Sequence, residues 1–213
     1  PVMRFLSYCL AFLLTISLVG CQDLAVENTS SPNREQVLAK PADVQSIASS
    51  TFESFFRGTE GVATVGGIDA YSPSPSASAM ADVHTASWGN FAMRDAAREP
   101  RIAWGNSPAY AYAHINEQPY FQSYSTISNA VDVLTAVENL GRDQIDSQLG
   151  SGAAARMEAF ALFNMGLSYL YLGSRYDKAA LLDETNEFQG QEFVPYPEVV
   201  SFGIQKMKKV AQI

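Results

Sequence analysis

The sequence predicts an all-α fold in which packed helices carry long, irregular, aromatic-rich loops. Three observations support this prediction. Apolar residues recur at steps of three and four in several segments, which is the spacing of one buried helix face. Glycines follow these segments, where helices commonly end. One long segment, residues 58–119, keeps neither the helical period nor the strand period of two for long.

The N-terminal segment has the features of a secretory leader. Arg4 supplies a positive charge, and residues 5–19 form an apolar run shorter than the about 20 residues of a spanning helix. The run ends in Leu18-Val19-Gly20-Cys21, which resembles a bacterial lipobox. We therefore expect a lipoprotein signal peptide over residues 1–20 and acylation of Cys21, which anchors a protein without a spanning helix. The alternatives are an ordinary signal peptide whose cleavage site contains a cysteine, and a single-span anchor.

The composition limits which partners and which covalent cross-links are expected. The chain has 213 residues, with 14 Lys and Arg against 22 Asp and Glu, for a net charge of −8. Arg4 is the only charged residue among residues 1–20. The chain without them has 13 basic and 22 acidic residues, and its net charge is −9. This balance argues against nucleic acid as a partner, because phosphate binding needs a basic surface. The two cysteines, Cys9 and Cys21, lie in the leader and at the lipidation site, so no disulfide is expected.

Two helices are predicted after a polar tether over residues 21–32. Asn33 and Gln36 can form a capping box for a short helix. Pro41 suits the first turn of a longer helix that ends near Gly58. The predicted buried face of this helix consists of Val44, Ile47, Ala48, Phe52, Phe55 and Phe56.

Residues 58–119 are predicted to be a long irregular excursion with one short helix near residues 78–83. Glycine, serine and proline cluster in this segment, and it holds both tryptophans, both histidines and many tyrosines. A loop of this length within a compact domain is usually functional or disordered. The aromatic content argues against disorder.

Helical periodicity returns at Tyr120. One predicted helix ends at Gly141, and after an acidic turn a second helix ends at Gly173. Pro197 opens a last helix. The three predicted apolar stripes are Tyr124, Ile127, Val131, Leu134 and Val137; Ala153, Met157, Phe160, Asn164, Leu167 and Tyr171; and Val200, Ile204, Met207 and Ala211.

The segment from Asn164 to Ala179 resembles a tetratricopeptide (TPR) helix pair. In such a pair Gly166 would allow close approach of the second helix, Tyr169 would fill the groove between helices, and Gly173 would turn the chain. One match supports antiparallel helical packing, although a solenoid needs several repeats to bury its faces. Two ordinary packed helices are the alternative.

Several further segments occur in order behind the lipobox cysteine. They are Asp23-Leu24-Ala25-Val26-Glu27-Asn28, Ser31-Pro32-Asn33-Arg34-Glu35-Gln36-Val37-Leu38, Pro41-Ala42-Asp43-Val44-Gln45-Ser46-Ile47, Tyr176-Asp177-Lys178-Ala179, Asp183-Glu184 and Val194-Pro195-Tyr196. Together with the repeat-like helix, they resemble the SusD/RagB family of outer-membrane nutrient-binding lipoproteins. The resemblance runs from about residue 21 to the end of the chain and is weakest in residues 58–119.

The resemblance implies a TPR-like helical scaffold that presents long loops. It also implies a lipid-anchored protein of the outer membrane, exposed at the cell surface, that binds an oligosaccharide or similar nutrient. The implied partner is a TonB-dependent outer-membrane transporter, to which the ligand is delivered. Because members of the family are longer than this chain, the resemblance implies that residues 33–213 are the N-terminal part of a SusD-like helical domain.

Two tryptophan–asparagine pairs are the candidate ligand contacts. Sugar rings have apolar faces edged by hydroxyls, so a site for them needs aromatic platforms and planar polar groups. Trp88 with Asn90, and Trp104 with Asn106, repeat this combination, and Arg94 lies between the pairs. Trp88 is the stronger candidate because its neighbours are small and polar. The alternative is that both tryptophans anchor the loop onto the helices.

The sequence predicts a binding protein and not an enzyme, with no cofactor and no metal site. His84 and His114 stand thirty residues apart without acidic or cysteine ligands at suitable spacing. Asp183 and Glu184 fit a solvated turn or a helix cap better than an acid–base pair. The main alternative function is a TPR-type scaffold lipoprotein that mediates protein–protein interactions in the envelope. An anchored glycoside hydrolase would need two carboxylates poised across a cleft.

Overall fold

The computed structural model describes residues 33–61, 73–86, 93–100, 105, 107, 109–186 and 191–213. Helices account for 71% of these residues and two strands are short, which confirms the prediction of a mainly helical fold. None of the described helices is long and apolar enough to cross a membrane. The elements are α1 (Arg34–Leu38), α2 (Pro41–Glu60), α3 (Pro73–Met80), α4 (Met93–Ala96), α5 (His114–Leu140), α6 (Arg142–Leu149), α7 (Ala153–Arg175), β1 (Lys178–Ala180), β2 (Phe193–Pro195) and α8 (Tyr196–Val210).

Three long helices, α2, α5 and α7, enclose the main core, and α8 packs on α7. Helix α5 buries Ile127, Val131, Leu134 and Val137 of the predicted stripe and half-buries Tyr124, because its apolar residues recur at the period of one helix face. The start of α5 lies beside the ends of α2 and α7, so α5 runs antiparallel to both. The largest fully buried side chains of the core include Val44, Ile127, Val133, Ile145, Met165, Tyr169 and Leu172.

The connection from α5 to α7 depends on glycines and on one aspartate. Gly141, at φ +80°, ends α5, and Gly152, at φ +73°, precedes α7. The carboxylate of Asp146 accepts hydrogen bonds from the backbone N–H groups of Gly152 and Ala154, each at 2.9 Å. The bonds from Ala154 and Gly152 lower the pKa of Asp146, because they stabilise its charged form. Asp146 therefore satisfies donors that the first turn of α7 leaves free.

Glycines allow α7 and α8 to approach closely. A Cβ atom added at Gly166 would lie 2.9 Å from Met207 Cγ, and one added at Gly173 would lie 2.6 Å from Val200 Cγ2. The close approach at Gly166 is therefore to α8, and not to a second helix within residues 164–179 as the repeat-like motif predicts. The expectation that Gly173 ends a helix is wrong, because α7 continues through this residue to Arg175.

Tyrosine hydroxyls hold the extended segment that follows α7. The short strands pair antiparallel, with Ala179 opposite Val194. On the other side of β1, the hydroxyl of Tyr124 binds both the N–H (2.7 Å) and the C=O (2.8 Å) of Ala180. The hydroxyl of Tyr169 binds the N–H and the C=O of Leu182 in the same way, each at 2.7 Å. The two tyrosines thus take the place of a neighbouring strand, where the repeat-like motif predicted a second helix.

A buried lysine joins the next loop to α8. The ammonium of Lys206 lies 3.0 Å from a carboxylate oxygen of Asp183 and 3.1 Å from one of Glu184. The Lys206 side chain is only 3% exposed. The two carboxylates therefore serve as the partners of a buried cation. The chain does turn at Glu184 and Thr185, as one of the two sequence interpretations expects, but the side chains of Asp183 and Glu184 are only 13% and 20% exposed, so the turn is not solvated.

Several predicted helix boundaries are also wrong. The short helix expected near residues 78–83 lies earlier, as α3, and a second short helix, α4, follows it. Helix α5 begins at His114 and not at Tyr120, because it continues through Pro119. The acidic turn expected after Gly141 is helix α6.

The buried faces predicted for α2, α7 and α8 differ in part from those in the structure. Helix α8 buries Val199, Gly203 and Lys206, because a glycine and a paired lysine fit against α7 at these positions. Periodicity of apolar residues cannot reveal a face that contains glycine and lysine. The predicted face residues that the structure leaves exposed are Phe52, Phe56, Phe160, Ile204 and Ala211.

Candidate functional site

A cleft of about 820 Å³ lies between α3, the first turns of α5 and the end of α7. Binding sites for small ligands commonly enclose about 300–1,000 Å³, so its size suits an organic ligand. Its lining combines aromatic rings with polar groups. It consists of Ala77, Met80 and Ala81 at α3; Asn116, Glu117, Tyr120 and Phe121 on α5; and Tyr171, Ser174, Arg175, Tyr176 and Asp177 at the end of α7.

The aromatic side of the cleft is built around Tyr120. Its ring centre lies 5.2 Å from that of Tyr176 in an edge-to-face arrangement, and 4.8 Å from that of Tyr124. Phe121 is the next residue on α5, and its side chain is 60% exposed. The neighbouring tyrosines fix the Tyr120 ring by packing, whereas the Phe121 ring is open to a ligand.

Polar groups edge these rings. The amide of Asn116 is half-buried, and Glu117, Ser174 and Asp177 are exposed. An amide provides both donors and acceptors, and carboxylates and hydroxyls accept further hydrogen bonds. The cleft therefore offers apolar ring surface bordered by groups that can bind hydroxyls.

The two main walls of the cleft are joined by hydrogen bonds from the end of α7. Arg175 Nη2 donates to the carbonyl of Ile115 at 3.0 Å, and the hydroxyl of Tyr176 donates to the carbonyl of Asn116 at 2.6 Å. Burial raises the pKa of Tyr171 and of Tyr176, although the Arg175 guanidinium opposes the increase. Both hydroxyls are therefore neutral donors at pH 7.

Most residues that the sequence singled out lie outside the part of the chain that the structure describes. Arg94 is described: it lies on α4 with an exposed side chain and is not among the residues that line the cleft. His84 is exposed in the turn after α3. The predicted residues outside the described ranges are Cys21, Trp88, Asn90, Trp104 and Asn106.

The sequence analysis does not predict Asn116 and Glu117 as site residues, because it places the start of α5 after them. With a helix beginning at Tyr120, Asn116 and Glu117 fell into the irregular excursion. The signal that could have found them is the aromatic pair Tyr120-Phe121 directly after Pro119, one helical turn beyond a polar pair.

A second concavity, of about 680 Å³, lies between α2 and α7 and is mainly apolar. Ala48, Met157, Phe160, Phe163 and Val210 contribute to its lining. Among the described residues, no group of three His, Cys, Asp or Glu side chains is placed to hold a metal ion. The cleft beside α5 is therefore the described site with the most varied binding chemistry.

Comparisons of the chain with protein-family models, with curated proteins and with solved structures find no match. The case for a function therefore rests on the chemistry of the cleft and on the features of the sequence.

Proposed function

We propose that this protein binds an oligosaccharide or a similar oligomeric nutrient in the cleft between α3, α5 and α7. The observation that carries the proposal is that one cleft is lined by both the exposed ring of Phe121 and the half-buried Asn116. A sugar ring can stack its apolar face on the phenyl ring while its hydroxyls bind the amide and the rim.

The charge of the rim favours a neutral ligand. Glu117 and Asp177 are exposed acidic residues, whereas Arg175, the one cationic residue among the described lining residues, already donates to a backbone carbonyl. An anionic sugar would approach two carboxylates in a chain whose net charge is −8. The repulsion between like charges opposes binding of such a ligand, and added salt weakens this repulsion.

The sequence supports a role in nutrient uptake at the outer membrane. In this proposal Cys21 carries the lipid anchor, and the ligand passes to a TonB-dependent transporter, as in the SusD/RagB family that the chain resembles. The antiparallel packing of α7 and α8, with Gly166 and Tyr169 buried between them, is what a TPR-like scaffold requires. Trp88 with Asn90, and Trp104 with Asn106, remain proposed ligand contacts in addition to the residues that line the cleft.

The test is calorimetric titration of the full chain, in mild detergent, with a panel of neutral oligosaccharides. Phe121→Ala is expected to weaken binding at least about fivefold, because a stacked ring contributes on the order of 1 kcal/mol. Phe193→Ala is the matched control, since Phe193 is 57% exposed but lies on β2, outside the cleft. Trp88→Ala in the same titration shows whether the excursion also contributes.

Equal affinity of Phe121→Ala and the wild type would exclude this cleft as the sugar site. Absence of binding across the panel would favour a second candidate, a scaffold lipoprotein that binds other proteins. The observation that supports this second candidate is the apolar groove between α2 and α7, whose lining includes the exposed Phe160 and Phe163. Exposed apolar surface of this kind often marks a protein contact.

A further inference from the structure

Helix α5 contains a proline where helices do not normally tolerate one. Pro119 is the sixth residue of the helix, beyond the first turn in which a missing N–H has no consequence. Because proline has no N–H, the carbonyl of Ile115, four residues earlier, loses its helical donor. Ile115 is fully buried, so water cannot replace that donor without opening the structure.

The missing donor is supplied by another helix. Arg175 Nη2 donates to this same carbonyl at 3.0 Å. The next residue, Tyr176, donates its hydroxyl to the next carbonyl, that of Asn116, at 2.6 Å. Two consecutive residues at the end of α7 thus bind two consecutive carbonyls at the start of α5.

These bonds join the two helices that form the main walls of the cleft. The turns of α5 that they hold carry Asn116, Glu117, Tyr120 and Phe121, and the end of α7 carries the opposite wall. The distance between the two walls therefore depends on the contact between Arg175 and the carbonyl of Ile115.

We infer that Arg175 is a positioning residue of the cleft: it replaces the helical hydrogen bond that Pro119 removes and so holds the α5 wall against α7. The consequence for ligand affinity rests on the proposed function. The positioning of α5 does not rest on the proposed function, because the hydrogen bond from Arg175 is present in the protein without a ligand. A direct ligand contact by Arg175 is the competing role, and it predicts no energetic link to Pro119.

A double-mutant cycle separates these roles. Pro119→Ala restores an N–H to the helix and with it the donor for the carbonyl of Ile115. Arg175→Ala should then destabilise the start of α5 in the wild-type background and have almost no effect in the Pro119→Ala background. Arg156→Ala, which removes an exposed arginine from the other end of α7, is the matched control.

The readout is amide hydrogen exchange of the full chain in mild detergent, followed for peptides covering residues 114–124. Arg175→Ala is expected to raise exchange in these peptides about tenfold or more, which is the effect of losing roughly one buried hydrogen bond. In the Pro119→Ala background the increase should fall below about threefold, and Arg175→Lys, which keeps one donor, should lie between wild type and Arg175→Ala. Arg156→Ala should leave these peptides unchanged.

An equal increase in both backgrounds, or no increase in either, would overturn the inference. Affinity for the best oligosaccharide of the panel, measured on the same variants, tests the consequence for the cleft. It should fall in Arg175→Ala and recover in the double variant. If the exchange cycle holds but no oligosaccharide binds, the proposed function fails while the positioning role stands.

Discussion

Replacing Tyr169 by phenylalanine tests whether a tyrosine hydroxyl serves as the partner of an extended segment. Tyr169 and Leu182 are 0% and 4% exposed, and the hydroxyl binds both the N–H and the C=O of Leu182. Phenylalanine keeps the ring but leaves both backbone groups buried without a partner. Each such group costs about 1–3 kcal/mol, so we expect a loss of about 2–4 kcal/mol in the free energy of unfolding, allowing for partial relaxation.

The assay is thermal unfolding followed by circular dichroism. A loss of this size corresponds to a decrease in Tm of roughly 6–12 °C for a chain of this length. Tyr124→Phe should cost less, about 1 kcal/mol, because Tyr124 and Ala180 are half-buried and water can take over. Tyr196→Phe removes an exposed hydroxyl and is the control. A Tyr169→Phe variant as stable as the control would refute the reasoning.

Two further substitutions test the packing around α8. Burial opposes ionisation of Asp183, but hydrogen bonds from Thr185 and Lys206 hold its pKa below the usual value. Its stabilising contribution is therefore present above about pH 4 and lost as the pH falls through the folded-state pKa. Asp183→Asn should lower the Tm at pH 7 yet flatten its decline between about pH 4 and pH 2; an unchanged acid slope would contradict this. Gly173→Ala should lower the Tm, since its Cβ would lie 2.6 Å from Val200 Cγ2, and adding Val200→Ala should recover part of the loss; additive effects would speak against the contact.

The helices that could be predicted from the sequence are those whose signals are local. The stripe from Tyr124 to Val137 has the period of one helix face, and Gly141 supplies the positive φ that ends it. Pro197 likewise lies in the first turn of α8, as its fixed φ favours. Each of these signals depends on a few neighbouring residues, so no knowledge of the tertiary structure is needed to use them.

The features that could not be predicted depend on contacts between distant residues. Gly173 has the sequence context of a helix C-cap, but its role is to admit Val200 from a helix far along the chain. Lys206 is not part of the apolar stripe predicted for α8, and its burial depends on pairing with Asp183 and Glu184. Tertiary packing, and not the local sequence preference, determines the role of Gly173 and the burial of Lys206.

The residues of the cleft could not be predicted together from the sequence, for a related reason. The helix predicted from the sequence starts at Tyr120, where helical periodicity returns, so the residues before it belong to the predicted irregular excursion. In the structure α5 continues through Pro119, and Arg175 donates to the carbonyl of Ile115, 60 residues away in sequence, which Pro119 leaves without a helical donor. The polar half of the cleft, Asn116 and Glu117, could therefore not be assigned to the same helix as Phe121.

The central claim is that an oligosaccharide binds between α5 and the end of α7. Its most direct test is amide hydrogen exchange with and without the tightest-binding oligosaccharide of the panel. The account predicts slower exchange in peptides covering residues 114–124 and 171–178, with little change in peptides covering α8. Protection confined to other segments, or no protection at saturating ligand, would contradict it.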